Sequence, residues 1–309
     1  MEQVINWLMK GDIAIRWQTM RDILAATKAQ WQAERRKLTD SGWVSRFLSL
    51  QDAKGTWGGG TYSPKWTSTV YTLLQLRDLG LSRDCAAAQL GAKIVLNEQL
   101  GEEGTDRFCE HLKCWDLCII GMILNLSVYF RICDSRIEAL VTHLLEYQMK
   151  DGGWNCRYKR QGGAVHSSFH TTFNVLDGLR TCVECNHTQL REQIEAAESR
   201  ALEFMLRHKL FFSDRTNQVI DRKFTSFSYP FRWHYDVLRG LDYFQRIDAR
   251  RDERLGEAIA LLLKKRRKDG TWPVQNRHPG KTFFEMEKIG GPSRWNTLRA
   301  LRVLQWWQK

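Results

Sequence analysis

Proline is scarce, five residues in 309, and 27% of the chain is charged; this combination excludes a disordered or low-complexity protein. No apolar run approaches the roughly 18 residues that a membrane-spanning helix needs. The opening segment, Met1-Glu2-Gln3-Val4-Ile5-Asn6-Trp7, has no basic region followed by an apolar one. A secretory signal is therefore not expected, and a cytoplasmic location is. In a reducing compartment the eight cysteines (85, 109, 114, 118, 133, 156, 182 and 185) read as buried thiols or metal ligands instead of bridges. A nucleic-acid-binding motif is also missing, although the net charge of +12 favours an anionic partner. The basic residues are spread along the whole chain, so a phosphorylated small molecule or an acidic surface fits as well.

What the sequence does contain is a repeat. Six segments begin with an aromatic residue, in most cases preceded by a basic one: Arg16-Trp17, Lys65-Trp66, Cys114-Trp115, Ser168-Phe169, Arg232-Trp233 and Arg294-Trp295. The aromatics at 17, 66, 115, 169, 233 and 295 are 49, 49, 54, 64 and 62 residues apart. A unit of that length holds one helix pair, which cannot bury its apolar face alone and must stack on its neighbours. Six further helical patterns lie between, near 2–10, 31–50, 84–98, 134–149, 190–209 and 252–268. In the fourth, Ile137, Leu140, Val141, Leu144 and Leu145 recur at three- and four-residue intervals. These intervening helices are charge-rich, whereas the aromatic-led ones, such as Gly121-Met122-Ile123-Leu124-Asn125-Leu126, are apolar throughout. The pattern predicts an all-α fold of two concentric helix rings, forming one domain over residues 1–309.

The turns between the two helix types have their own signature. Gln51 to Trp57 and Gln148 to Trp154 both fit Gln-x-x-x-Gly-x-Trp, and Arg266 to Trp272 repeats it with Arg for Gln. The glycine suits a left-handed position closing a helix, the Trp folds back over the end, and Gln or Arg can bond free carbonyls. Two longer connections, 211–231 and 273–293, lack periodicity and are candidate lids or plugs.

Six helix pairs with Gln-x-x-x-Gly-x-Trp turns resemble the terpenoid cyclase/protein prenyltransferase superfamily. The resemblance covers nearly the whole chain. It implies an α/α toroid whose inner helices surround a funnel for an isoprenoid chain. The Asp-x-Asp-Asp acid of squalene-type cyclases is absent. The resemblance is closer to protein prenyltransferase β subunits, which hold zinc with an Asp-x-Cys pair opening one inner helix and a His opening the next. By that likeness Asp116, Cys118 and His170 are the implied zinc ligands, and Lys113, in Lys-x-x-Asp-x-Cys, is implied to contact a prenyl diphosphate. Glu110 and Ile119 depart from the family pattern, which has a basic residue and Tyr there. Such β subunits work with a helical α subunit, so a protein partner is an expectation too.

The chemistry is consistent with this reading. Asp, Cys and His suit zinc, and three protein ligands leave a fourth position open for a substrate thiolate. Residues two apart do not share a helix face, so Asp116 and Cys118 can converge only at a helix start. The alternative roles are a capping Asp116, a buried Cys118 thiol and a hydrogen-bonded His170. Cys182-Val183-Glu184-Cys185-Asn186-His187 is a weaker metal candidate, since it lacks a second half. Arg16, Lys65, Lys113, Arg232 and Arg294 sit at helix starts, where a bound anion would account for cations that the helix dipole disfavours. His234 and Tyr235 could add donors. Trp17, Trp66, Trp115, Trp233 and Trp295 could line a cavity or the core. An acid–base group of His166, His170 and Asp151 and a carboxylate pair of Glu285 and Glu287 are minor possibilities. The leading expectation is a prenyltransferase-like enzyme binding an isoprenoid diphosphate, with zinc activating the acceptor. Two alternatives stay open: an isoprenoid cyclase using His170 or Asp236 as acid, and a non-catalytic isoprenoid-binding toroid.

Overall fold

Apolar residues at three- and four-residue spacing, with few prolines to interrupt them, give the helices that make up most of the regular structure among the described residues. A computed structural model describes residues 1–101, 110, 115–159 and 163–309. The described chain is all-α apart from one two-residue strand pair, and it divides into two compact units. The first comprises Met1–Ser49, Leu79–Leu81 and Leu206–Lys309; the second comprises Leu50–Asp78 and Ser82–Met205.

In the first unit, α1 (Glu2–Met9) and α2 (Ile13–Asp22) are followed by α3 (Lys28–Arg36) and α4 (Gly42–Leu48). Trp17 falls in the middle of α2, not at its start, because Asp12 caps that helix by accepting the Ala14 amide at 2.8 Å. The second unit carries α5 (Thr69–Leu79), α6 (Ala86–Leu100), α7 (Leu117–Tyr129), α8 (Arg136–Glu146), α9 (Phe169–Glu184) and α10 (Arg191–Arg207). The chain then completes the first unit with α11 (Val237–Arg246), α12 (Gly256–Lys264) and α13 (Arg294–Gln308). Strands β1 (Trp272–Pro273) and β2 (Pro292–Ser293) pair antiparallel and pinch the 273–293 connection at its ends.

In the second unit α7 and α8 differ in burial as their sequences predict. Every residue of α7 from Ile119 to Val128 is buried, whereas α8 buries one stripe that includes Ile137, Leu140, Val141 and Leu144. The apolar helices α7 and α9 cross closely. A Cβ on Gly121 would lie 2.5 Å from the Asn174 carbonyl oxygen, and one on Gly178 would lie 2.5 Å from the Gly121 carbonyl oxygen. Only glycine at both positions allows that approach. In the first unit the ends of the chain meet: Arg302 of α13 bonds Gln18 and Asp22 of α2, each at 2.6 Å, and the Arg294 Nε donates to the Trp7 carbonyl at 3.1 Å.

The three signature turns share one construction. Gly55, Gly152 and Gly270 have φ of 84°, 106° and 83°, the left-handed region that glycine tolerates. They do not cap the preceding helix directly. Each closes a tight turn several residues past the helix end, its amide donating to the carbonyl of Asp52, Met149 or Arg267. Trp57, Trp154 and Trp272 are fully buried, and their amides donate to the hydroxyls of Thr69, Thr172 and Thr297 at 2.9–3.0 Å. Each threonine belongs to the next apolar helix. Gln51 donates to the carbonyls of Gly55 and Ala87, and Gln148 to those of Gly152 and Ala197. One side chain thus ties its turn to the following charged helix. The turn is a clamp that sets where the next apolar helix begins.

Candidate metal centre

Asp116 precedes α7 in an extended conformation, φ −65° and ψ 132°, and its side chain makes no capping bond to the helix. Its carboxylate is therefore not spent on the role that the capping alternative assigned to it. Cys118, two residues on, is still in the first turn. The second structural input comes from the Gln148 clamp. Thr172 receives the Trp154 amide and donates to the Trp154 carbonyl, and the Ser168 amide donates to the same carbonyl at 2.8 Å. This fixes Asn155 and Cys156 over the start of α9. The glycine crossing presses the start of α9 towards that of α7, and Cys156 meets the other pair.

The outcome is a cluster of Asp116, Cys118 and Cys156. One carboxylate oxygen and both sulfurs lie within 4.8 Å of one another, all partly shielded from solvent. The Cys118 amide points at the Cys156 sulfur at 3.5 Å, and the Thr171 hydroxyl lies 3.3 Å from that sulfur. The electrostatics are those of a site rich in negative charge. The hydrogen bond with Cys118 pulls the Cys156 thiol down to about 7, against its burial and with help from Thr171. Cys118 is pushed well up by that same bond, by burial and by the charges of Cys156 and Asp116. Tyr62, half-buried and hydrogen-bonded to Tyr71 at 3.1 Å, is raised to about 12, first by burial and then by these three groups. A nearby cation would favour the charged forms of both thiols and of the carboxylate.

The donor set fits zinc. Thiolates and a carboxylate are its ordinary ligands, and three protein donors leave one tetrahedral position open. Among the described residues this is the one group of three His, Cys, Asp or Glu side chains arranged to hold a metal. His170 is the second residue of α9, half-buried, with its carbonyl accepting from Asn174 at 2.6 Å; it is outside the group. Cys156, which the helix-start pattern did not single out, supplies the third donor. The cysteine follows Trp154 by two residues, and the clamp, which the sequence does not reveal, delivers that position to a helix start.

The other candidates take separate places. Lys113 lies outside the described residues, and Trp115 is half-buried just before Asp116. In the first unit, Arg294 lies over the Trp7 ring at 4.4 Å, a packing role, and Trp295 stacks on Tyr229 at 4.9 Å. Arg232, Trp233 and His234 are half-buried ahead of α11, with Trp233 on His234 at 3.8 Å and His234 on His278 at 3.7 Å. Asp236 caps α11 and accepts from the Arg239 amide and from the Ser228 amide and hydroxyl. It serves as an acceptor in all three bonds. Glu285 pairs with Arg277, whereas Glu287 accepts from Ser293 and from the Trp295 amide, so these two carboxylates have different partners. Cys182 is buried, which pushes its thiol up to about 12.

No protein-family model, curated protein or solved structure matches this chain. No helix of the described residues is long and apolar enough to cross a membrane.

Proposed function

We propose that the protein is a zinc-dependent, prenyltransferase-like enzyme of the α/α-toroid type that acts on an isoprenoid diphosphate. The observation that carries this reading is the convergence of Asp116, Cys118 and Cys156 at the start of an apolar helix. Further support comes from the three clamps and from the junction of the first and last helices in the first unit. A bound zinc ion would supply a Lewis acid that favours the thiolate form of an acceptor thiol. In this reading Asp116, Cys118 and Cys156 hold the ion, Thr171 steadies the Cys156 sulfur, and Lys113 receives the diphosphate. The ligand set departs from the resemblance in having Cys156 as third donor in place of His170.

The test has two arms on untagged protein. Metal analysis is expected to give about one zinc per chain, lost in both Cys118→Ala and Cys156→Ala. Incubation with farnesyl or geranylgeranyl diphosphate and a thiol acceptor is expected to consume the diphosphate only in the zinc-loaded form. Metal-free protein that takes up no zinc would refute the centre. Zinc-loaded protein that leaves every prenyl diphosphate intact would refute the activity alone. Turnover by metal-free protein would favour the cyclase alternative.

A further inference from the structure

The first unit holds a charged group that neither its packing nor the metal centre explains. Arg299 stands in the middle of α13 with 2% exposure. Its Nε donates to Asp242 of α11 at 3.0 Å. Its terminal nitrogens, Nη1 and Nη2, are buried and have no hydrogen-bond partner among the described residues. Guanidinium brings five donors, and a buried donor left without an acceptor is destabilising. An apolar side chain of similar length would fill the same space without that cost.

A second guanidinium shares the position. Arg239 of α11, 6% exposed, lies 4.5 Å from the centroid of the Phe231 ring, and Arg299 lies 5.3 Å from the same centroid. Arg239 donates through Nη1 to the His234 carbonyl at 2.8 Å. Asp242 is the carboxylate that Arg299 engages, and the nearby Asp236 is taken by Ser228 and the Arg239 amide. Two guanidiniums lie beside one ring, and the chain supplies two carboxylates near them, Asp236 and Asp242. Phe231 to His234 are all half-buried, so solvent reaches the edge of this group.

We propose that Arg299 and Arg239 form a binding site for a small oxyanion, a carboxylate or phosphoryl group, gripped through both terminal nitrogens of Arg299 beside Phe231. The planar fork of arginine matches two oxygens of such a group in a bidentate pair. The site lies within the first unit, and its existence does not depend on the metal reading.

Thermal unfolding of the full chain at constant ionic strength, with inorganic phosphate or acetate as probe, tests this. A saturable rise in melting temperature is expected with at least one probe, by mass action on the folded state. A rise with phosphate alone identifies a phosphorylated ligand, and one with acetate alone a carboxylate. Arg299→Lys keeps the charge but loses the fork, and is expected to weaken the apparent affinity at least roughly tenfold. Arg299→Met is expected to abolish the shift; should it fail to fold, the wild-type and lysine arms decide. No rise with either probe in the wild type, or an equal rise in Arg299→Lys, overturns the proposal.

Discussion

Thr171 touches the Asp116, Cys118 and Cys156 cluster through a side chain that is not one of its three donors. Its hydroxyl sits 3.3 Å from the Cys156 sulfur, on the first turn of α9. Groups that orient a ligand in this way typically govern metal affinity by roughly 10–100-fold. Thr171→Val is therefore expected to weaken zinc binding by that factor while leaving the helix content intact, as read by competition with a chromophoric chelator. An unchanged affinity would mean that the hydroxyl only fills space. Asp134 makes a comparable argument for stability. Burial alone would push its carboxyl up, but Arg136 and Lys93, both at 2.6 Å, hold it well below the ordinary 3.8. Removing one partner of a buried ion pair strands the other, so Asp134→Asn is expected to cost about 3–5 kcal/mol in denaturant unfolding. A loss under 1 kcal/mol would show the pair to be solvated.

Among the elements, α7 and α9 decide whether the site exists. Their crossing has room for a backbone and nothing more at Gly121 and Gly178. Gly121→Ala is expected to destabilise the fold by about 1–3 kcal/mol through overpacking, and also to lower zinc affinity, because it separates the two helix starts. A variant that lost stability but kept full zinc affinity would uncouple the crossing from the site. Most of this layer was legible in the sequence. The periodicity of Ile137 to Leu144 gave α8, and the three Gln- or Arg-x-x-x-Gly-x-Trp segments marked the turns correctly, including their left-handed glycines. The threonines at 69, 172 and 297 that receive the Trp amides were not legible as clamps, since a hydroxyl carries no periodic signal. For the same reason Cys156 was not distinguished from the other cysteines: its neighbours in space come from helix starts 38 and 15 residues away along the chain. Trp17 shows the opposite failure. Its spacing fitted the repeat, but the Asp12 cap starts the helix four residues earlier than the aromatic suggests.

For the whole molecule, two buried carboxyls give opposite pH dependences. Asp134 has a depressed value in the fold, so its contribution is complete above the ordinary 3.8 and is lost as the pH falls through the folded value. Glu287 is raised from 4.5 to about 7, chiefly by burial, with Ser293 and the Trp295 amide partly offsetting it. Its protonated form is the one favoured by the fold, so that contribution is present below 4.5 and lost as the pH rises through 7. Stability is expected to peak between these limits, and Glu287→Gln is expected to flatten the decline on the alkaline side. Denaturation midpoints from pH 3 to 8 check both limbs; an unchanged alkaline limb in Glu287→Gln would assign the decline elsewhere.

The central claim is that two thiolates and a carboxylate from the starts of neighbouring helices hold one metal ion. Cobalt substitution reads it most directly, because thiolate ligands give charge-transfer absorption that nitrogen and oxygen ligands lack. The account predicts a thiolate-to-cobalt band in the wild type that is lost in Cys118→Ala and in Cys156→Ala, and survives in His170→Ala. A band that persists unchanged in Cys156→Ala but disappears in His170→Ala would contradict it.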